Sequence, residues 1–340
     1  MPLKSYFYHC FQDDTHTSEL EDANFYGMGG EVRRSIFDSL NIRSLREWQR
    51  NMLQKHVYES EGKNNGLVLA PTSGGKTLVA IILLIRTMMI EKKDAILALP
   101  YVAIVAEKVR ELKQLATELN FFTVMEYAGP KGSFPIPKQR SKLRTLYVAT
   151  TEKANAIWNG LCRDGREQEI GLVSFDEFHM VADGMRGMII EELLVSLLHR
   201  SSECTRVLAL SATVGNASDV RDFLGGGHAE GCDIHHITQR PIGIEEHLVV
   251  AGAPVLIERD EVGVGMIKYT DERHQILQDE DLLMTEENSK LFPSYDDQII
   301  ARLLFDAIKQ NKSVLVFCNT RNKCVSMCDA LTKAYQSMYR

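Results

Sequence analysis

The chain has 340 residues, a formal net charge of −7, 44% hydrophobic residues and 25% charged residues. These are globular values, and the length suits two ordinary domains. The acidic balance excludes a broadly basic nucleic-acid coat, yet a local patch of cations on a phosphate backbone stays compatible with it.

Residues 1–24 are polar and irregular, without the basic start and apolar centre of a signal peptide, and no apolar run has the length of a membrane helix. An intracellular protein is expected. From Phe25 a helical pattern begins, with Val32, Ile36, Phe37 and Leu40 on one face. Short apolar runs then alternate with helical stretches. GLVLA (66–70), AILALP (95–100), TLYVAT (145–150), LVSFDE (172–177) and VLALSAT (207–213) read as strands, and KTLVAIILLIRTMMIEKK and AIVAEKVRELKQLATEL as helices. Alternation of this kind predicts an α/β fold, a parallel sheet with helices on both faces. Strands buried on both sides are continuously apolar, as these are.

After Arg240-Pro241 the pattern changes. IEEHLVV and APVLIERD read as two strands around a turn at Ala251-Gly252. Residues 259–293 are charged and read as a long connection or insertion. DDQIIARLLFDAIKQ is a predicted helix, SVLVFCNT a predicted strand, and one more helix follows. The organisation is then 1–24 irregular, 25–239 a first domain, and 240–340 a second α/β domain begun and not finished. Seven cysteines without a CxxC pair give no disulfide framework or zinc site, and CDIHH (232–236) reads as a solvated loop.

Three motifs carry chemistry. APTSGGKT follows a buried strand and opens a helix. Gly74 and Gly75 let backbone N–H groups converge on an anion, and the helix start adds partial positive charge. Lys76 has the reach for β- and γ-phosphates, and Thr77 has a hydroxyl for Mg²⁺; Thr72 and Ser73 complete the loop. Ala70 holds the place where the strict phosphate-loop pattern has Gly. The second motif, LVSFDEFH, puts Asp176 and Glu177 at a strand's C-terminal end, where open α/β sheets bind ligands. Asp176 suits Mg²⁺ and Glu177 suits the attacking water. The third, LALSATVG, sets Ser211 and Thr213 to hydrogen-bond that acidic pair.

In this order the three resemble superfamily 2 helicases. DEFHMVADGMRGMIIEELL (176–194) resembles the extended acidic motif of the Ski2-like group, and TSGGKT, LPYVAIVAEK and YAGPKG are particularly similar to its HELQ and polymerase-theta branch. The resemblance implies a RecA-like ATP-binding domain followed by an incomplete second RecA-like domain. It implies ATP and Mg²⁺ as ligands, His179 as part of the catalytic acidic box, and Gln49, in LREWQRNML, as the reader of the adenine edge. Phe25 and Tyr26 are candidate stacking aromatics. Strand-binding motifs imply contacts to nucleic acid from Tyr101, Gly129, Lys131, Thr150, Thr151 and Lys153, with Thr320 and Arg321 from the second domain. Arg186, Gly187 and Glu191 match the extended acidic motif, whereas Phe178 replaces its usual Leu or Ala and must pack behind the site. The expected activity is that of a 3′-to-5′ DNA helicase in DNA repair, nuclear, on single-stranded or forked DNA and with no membrane partner. The later family motifs with the arginine finger do not occur before Arg340, so nucleotide binding is expected to exceed hydrolysis. Two other readings stay open: a Ski2-like RNA helicase, separable at the 2′-OH, and a non-hydrolysing fragment that binds ATP and a single strand.

Overall fold

A computed structural model describes residues 24–59, 64–137, 143–200, 205–238, 240, 243–250, 253–259, 265–268, 291–292 and 294–338. The expectation for residues 1–23 and most of that for 259–293 therefore lie outside the described residues. The chain divides into two compact units, Met1–Ile242 and Gly243–Arg340.

The first unit is built on seven strands: Asn65–Leu69 (β1), Asp94–Leu99 (β2), Phe122–Tyr127 (β3), Arg144–Thr150 (β4), Ile170–Phe175 (β5), Arg206–Ser211 (β6) and Cys232–His236 (β7). They form one sheet in the order β3-β4-β2-β5-β6-β1-β7, and every neighbouring pair is parallel. Strands β2, β5 and β6 are buried at every position, as parallel strands between helical layers must be. Side-chain alternation splits the apolar residues between two cores. Val68, Leu97, Val148 and Leu208 face one; Leu67, Leu69, Ile96, Val173 and Ala209 face the other. Helices Gly30–Ser39 (α1), Glu47–Gln54 (α2), Lys76–Ile90 (α3) and Val102–Leu119 (α4) cover the first core. Helices Thr151–Arg163 (α5), Gly184–Arg200 (α6) and Ala217–Leu224 (α7) cover the second. Helix α3 is apolar nearly all round because it lies deep against the sheet.

Parallel pairing brings the C-terminal ends of β1, β5 and β6 to one edge. Ala70 N–H donates to Ser211 O (3.0 Å) and Asp176 N–H to Ala98 O (3.0 Å), so the loops leaving the strands start from fixed points.

The structure differs from the sequence reading at five places. CDIHH is not a loop: it is the edge strand β7, paired with β1 over five residues, with Cys232 buried. Phe122–Tyr127, unassigned from sequence, is the opposite edge strand β3. Phe25 is no stacking platform, being buried with its ring 5.9 Å from that of Phe37. Two more corrections are in the second unit.

In that unit, Glu246–Val250 (β8), Ala253–Arg259 (β9) and Gly265–Lys268 (β10) form an antiparallel sheet in the order β10-β9-β8. Strand β10 lies inside the stretch read as a charged connection. Helices Tyr295–Lys309 (α8) and Arg321–Met338 (α9) share a small core of Phe292, Ala301, Phe305, Met327 and Ala334. SVLVFCNT is not a strand, and Leu315 and Phe317 are 77% and 86% exposed. A strand exists by pairing its backbone groups, and among the described residues none pairs with this one.

Candidate nucleotide and nucleic-acid site

Between β1 and α3 the chain makes a tight loop. Gly74 N–H donates to Pro71 O (3.0 Å), and Ser73 and Gly75 take positive φ of 62° and 86°. Left-handed residues interleaved with right-handed ones turn successive N–H groups toward one concavity, which binds anions. Glycine is required at both inner positions. A Cβ on Gly74 would meet Pro71 O at 2.8 Å, and one on Gly75 would meet Gln49 Nε2 at 2.5 Å. Thr72 and Ser73 lie exposed on the rim.

Gln49, on α2, is buried. Its Oε1 accepts from Arg46 N–H (2.8 Å), and its Nε2 donates to Gly75 O (2.9 Å). The residue thus ties the first helical layer to the loop; its remaining donor and lone pair are what it has for a base edge. Tyr26 is half-buried, its ring 6.4 Å from that of Tyr58.

Lys76 is buried at the start of α3, where its Nζ donates to Ala70 O (2.7 Å) and Pro71 O (3.1 Å). Burial pushes its pKa below the usual lysine value, while the nearby Glu177 and Asp176 carboxylates pull it back up. Thr77 Oγ1 donates to Asp176 Oδ2 (2.7 Å), a contact between positions 99 apart in sequence. Two adjacent oxygen ligands beside a phosphate cradle are the donor set that a small hard dication takes. The residues present therefore fit a magnesium-bound nucleoside triphosphate.

Asp176 Oδ1 also accepts from Glu177 N–H (2.9 Å). Glu177 sits at φ 54°, a left-handed conformation that costs a non-glycine residue energy and re-aims its side chain. Its Oε2 lies 3.4 Å from His179 Nδ1, and that nitrogen is 3.5 Å from Ser211 Oγ. Ser211 also donates to Thr213 O (3.0 Å). The third motif thus meets the acidic pair through the His179 imidazole rather than directly. Phe178 is buried, its ring edge-on to Phe175 at 6.3 Å, so the unusual residue packs behind the site as its apolar character requires. A Cβ on Gly187 would overlap the Val181 carbonyl, so glycine keeps α6 close to the acidic segment.

The expected strand contacts fall into two groups. Tyr101 is exposed at the N-cap of α4, with the Arg186 guanidinium 5.0 Å above its ring. Arg186 Nε is also 3.7 Å from Glu152 Oε1, a pairing not foreseen from sequence. Gly129 takes φ 55°, Lys131 Nζ lies 2.9 Å from both Glu126 oxygens, and Lys153 Nζ sits 5.4 Å from the Phe134 ring centre. Thr150 and Thr151, by contrast, have buried side chains, so what they offer a strand is the backbone at the start of α5. Thr320 and Arg321 are exposed in the second unit, where Thr320 Oγ1 accepts from Lys323 N–H (3.1 Å). Glu191 is exposed on α6.

Over 316 residues the chain is 34% identical to Helicase POLQ-like of Homo sapiens, covering 93% of this chain and 26% of that protein. It is 30% identical over 299 residues to DNA polymerase theta of Drosophila melanogaster, covering 85% and 13%. It is 28% identical over 265 residues to ATP-dependent DNA helicase Hel308 of Thermococcus kodakarensis, covering 77% and 19%. The chain thus spans about a quarter, or less, of the length of these relatives. The solved structure of the DUF1998 helicase MrfA shares the fold, with a TM-score of 0.60 at 13% identity over 91% of this chain and 41% of that one. The DEAD/DEAH box helicase pattern matches residues 46–221, which hold Gln49, the Lys76 loop, Asp176-Glu177 and Ser211, and the chain belongs to that family.

Proposed function

We propose that the chain is the ATP-binding part of a 3′-to-5′ DNA helicase that acts in DNA repair in the nucleus, with Gly243–Arg340 belonging to a second RecA-like domain. The observation that carries this reading is the 2.7 Å contact of Thr77 with Asp176 beside the buried Lys76. The names of its relatives, Helicase POLQ-like and ATP-dependent DNA helicase Hel308, support DNA as the polymer.

In this mechanism the loop amides and Lys76 hold the β- and γ-phosphates, and Gln49 holds the base edge. Thr77 and Asp176 hold Mg²⁺, which when bound neutralises charge on the transferring phosphoryl group. Glu177 orients and deprotonates the attacking water. His179 faces both Glu177 and Ser211, so a movement of Glu177 is passed to the end of β6. Tyr101, Gly129, Lys131, Lys153 and the backbone at Thr150-Thr151 hold one strand by its phosphates, and in the second unit Thr320 and Arg321 offer a hydroxyl and a cation to strand phosphates. Such contacts position a strand without reading its sequence.

Nucleotide binding in Mg²⁺ and ATP turnover with and without single-stranded DNA and RNA test the reading. Nucleotide binding is expected to vanish in Lys76→Ala and persist in Glu177→Gln, and DNA is expected to stimulate turnover. Equal stimulation by RNA would replace DNA with RNA. Tight binding without turnover would assign this chain a role in holding ATP and strand only. Absence of nucleotide binding would overturn the proposal.

A further inference from the structure

The loop that follows β3 is organised around one ring. Tyr127 is fully buried, and its ring centre lies 5.9 Å from that of Tyr147 and 5.3 Å from that of Phe134. Tyr127 Oη donates to Ser133 O (3.4 Å). Gly132 takes φ 94°, and a Cβ there would run into the Tyr127 ring. Ile136 is buried on the far side of the loop. The loop is therefore fixed at both ends of a short arc, and the residue at the top of the arc is Phe134, 41% exposed.

What surrounds the exposed ring is cationic and helix-terminal. Lys153 Nζ stands 5.4 Å from its centre, from the first turn of α5. That helix begins at Thr151, whose side chain is buried, so its first turn offers backbone N–H groups. Helix starts attract phosphate oxygens, and an exposed aromatic face accepts any base.

We propose that Phe134 is a stacking platform for one base of the bound single strand, with Lys153 moving from the ring face to the phosphate of the same or the next nucleotide. The inference rests on the nucleic-acid reading above and adds a base contact to what was a backbone-only grip. Stacking is indifferent to base identity, so the platform costs the protein no sequence generality. The edge-on contact with Tyr127 limits the positions open to the ring before binding, which reduces the ordering cost.

The test uses the 340-residue chain and a single-stranded oligodeoxynucleotide carrying 2-aminopurine. Affinity is read by anisotropy over a range of salt concentrations, and stacking by 2-aminopurine quenching. Phe134→Ala and Phe134→Leu are expected to weaken binding about tenfold, the worth of roughly one stacked base, with the salt slope unchanged and the quenching lost. Phe134→Tyr is expected to keep both. Lys153→Ala is expected to lower the salt slope by about one, as the loss of one phosphate contact does. Phe134→Leu keeps an apolar side chain over Tyr127, so it answers for the fold if Phe134→Ala does not. Wild-type affinity and quenching in Phe134→Leu would overturn the platform and leave the helicase reading intact. A wild-type protein that binds no strand at any salt concentration would overturn that reading, and the platform with it.

Discussion

Thr77 and Asp176 share one hydrogen bond at the base of the phosphate loop, so neither side chain has a separable worth. Thr77→Ala and Asp176→Asn are each expected to weaken Mg²⁺-dependent nucleotide binding by roughly ten- to a hundredfold, a few kcal/mol at most. The double variant should be little worse than the weaker single one, because groups in contact couple by about 0.5–3 kcal/mol. Titrations with and without Mg²⁺ check this; equal losses in both conditions would deny the pair a metal role. Gly75→Ala is expected to be severe for a different reason. Its φ of 86° disfavours alanine, and the new Cβ displaces the Gln49 amide that fastens the loop to α2. About 1–3 kcal/mol of stability should be lost in urea titrations, with nucleotide affinity falling at least tenfold. Gly74, Gly75, Lys76 and Thr77 stand out in the sequence, because a backbone anion cradle is built from Gly, Lys and Thr at fixed spacing. The bond from Gln49 to Gly75 does not, since it joins positions 26 apart and only the fold brings them together. Nor does the burial of Thr151, since residue type does not say which way a hydroxyl faces.

At the scale of elements, the central strands were readable because burial on both faces leaves a continuous apolar run. The two edge strands were not. β7, with the burial of an edge, carries Cys, Asp and two His in five residues, a composition that reads as loop. Yet β7 pairs with β1, the strand that feeds the phosphate loop, and His235 stands opposite Val68. Burial pushes the His235 pKa from 6.5 down to about 4; Lys55 and His56 push the same way, and Asp233 opposes them. A histidine with a depressed folded pKa binds its proton more readily when unfolded. Its neutral form supports the fold fully above pH 6.5, and that support is lost as pH falls from 6.5 toward 4. Between about pH 7 and pH 5 the contribution lost is about 2 kcal/mol. Urea midpoints of wild type and His235→Gln at both pH values isolate it: the variant should show a shallower decline, and parallel declines would exclude His235 as the source. Gly187→Ala tests the other side of the site. The added methyl meets the Val181 carbonyl and must push α6 from the segment after the acidic box. Overpacking of this kind costs about 1–3 kcal/mol. Thermal unfolding checks the cost, and DNA-stimulated turnover should fall further than nucleotide affinity does.

The whole molecule divides after Ile242, and the division has a consequence for where binding resides. Every residue of the two large cores lies at or before position 237, as does every side chain proposed to hold the nucleotide. The second unit has its own smaller core, centred on Phe292, Phe305 and Met327. A parallel sheet of seven strands covered on both faces buries enough apolar surface to fold by itself. A fragment of residues 24–242 is therefore expected to unfold cooperatively and to bind Mg²⁺-nucleotide within about threefold of the 340-residue chain, a difference of less than 1 kcal/mol. Strand binding should behave otherwise. The fragment keeps Tyr101, Lys131, Phe134 and Lys153 but loses Thr320 and Arg321, so its affinity for single-stranded DNA should fall and its salt slope should drop by about one for the missing cation. Calorimetry with nucleotide and anisotropy with DNA measure the two separately. Nucleotide affinity more than tenfold weaker in the fragment would mean that the first unit does not hold the nucleotide by itself. An unchanged salt slope would remove Arg321 from the strand path, leaving the grip to the C-terminal edge of the parallel sheet alone.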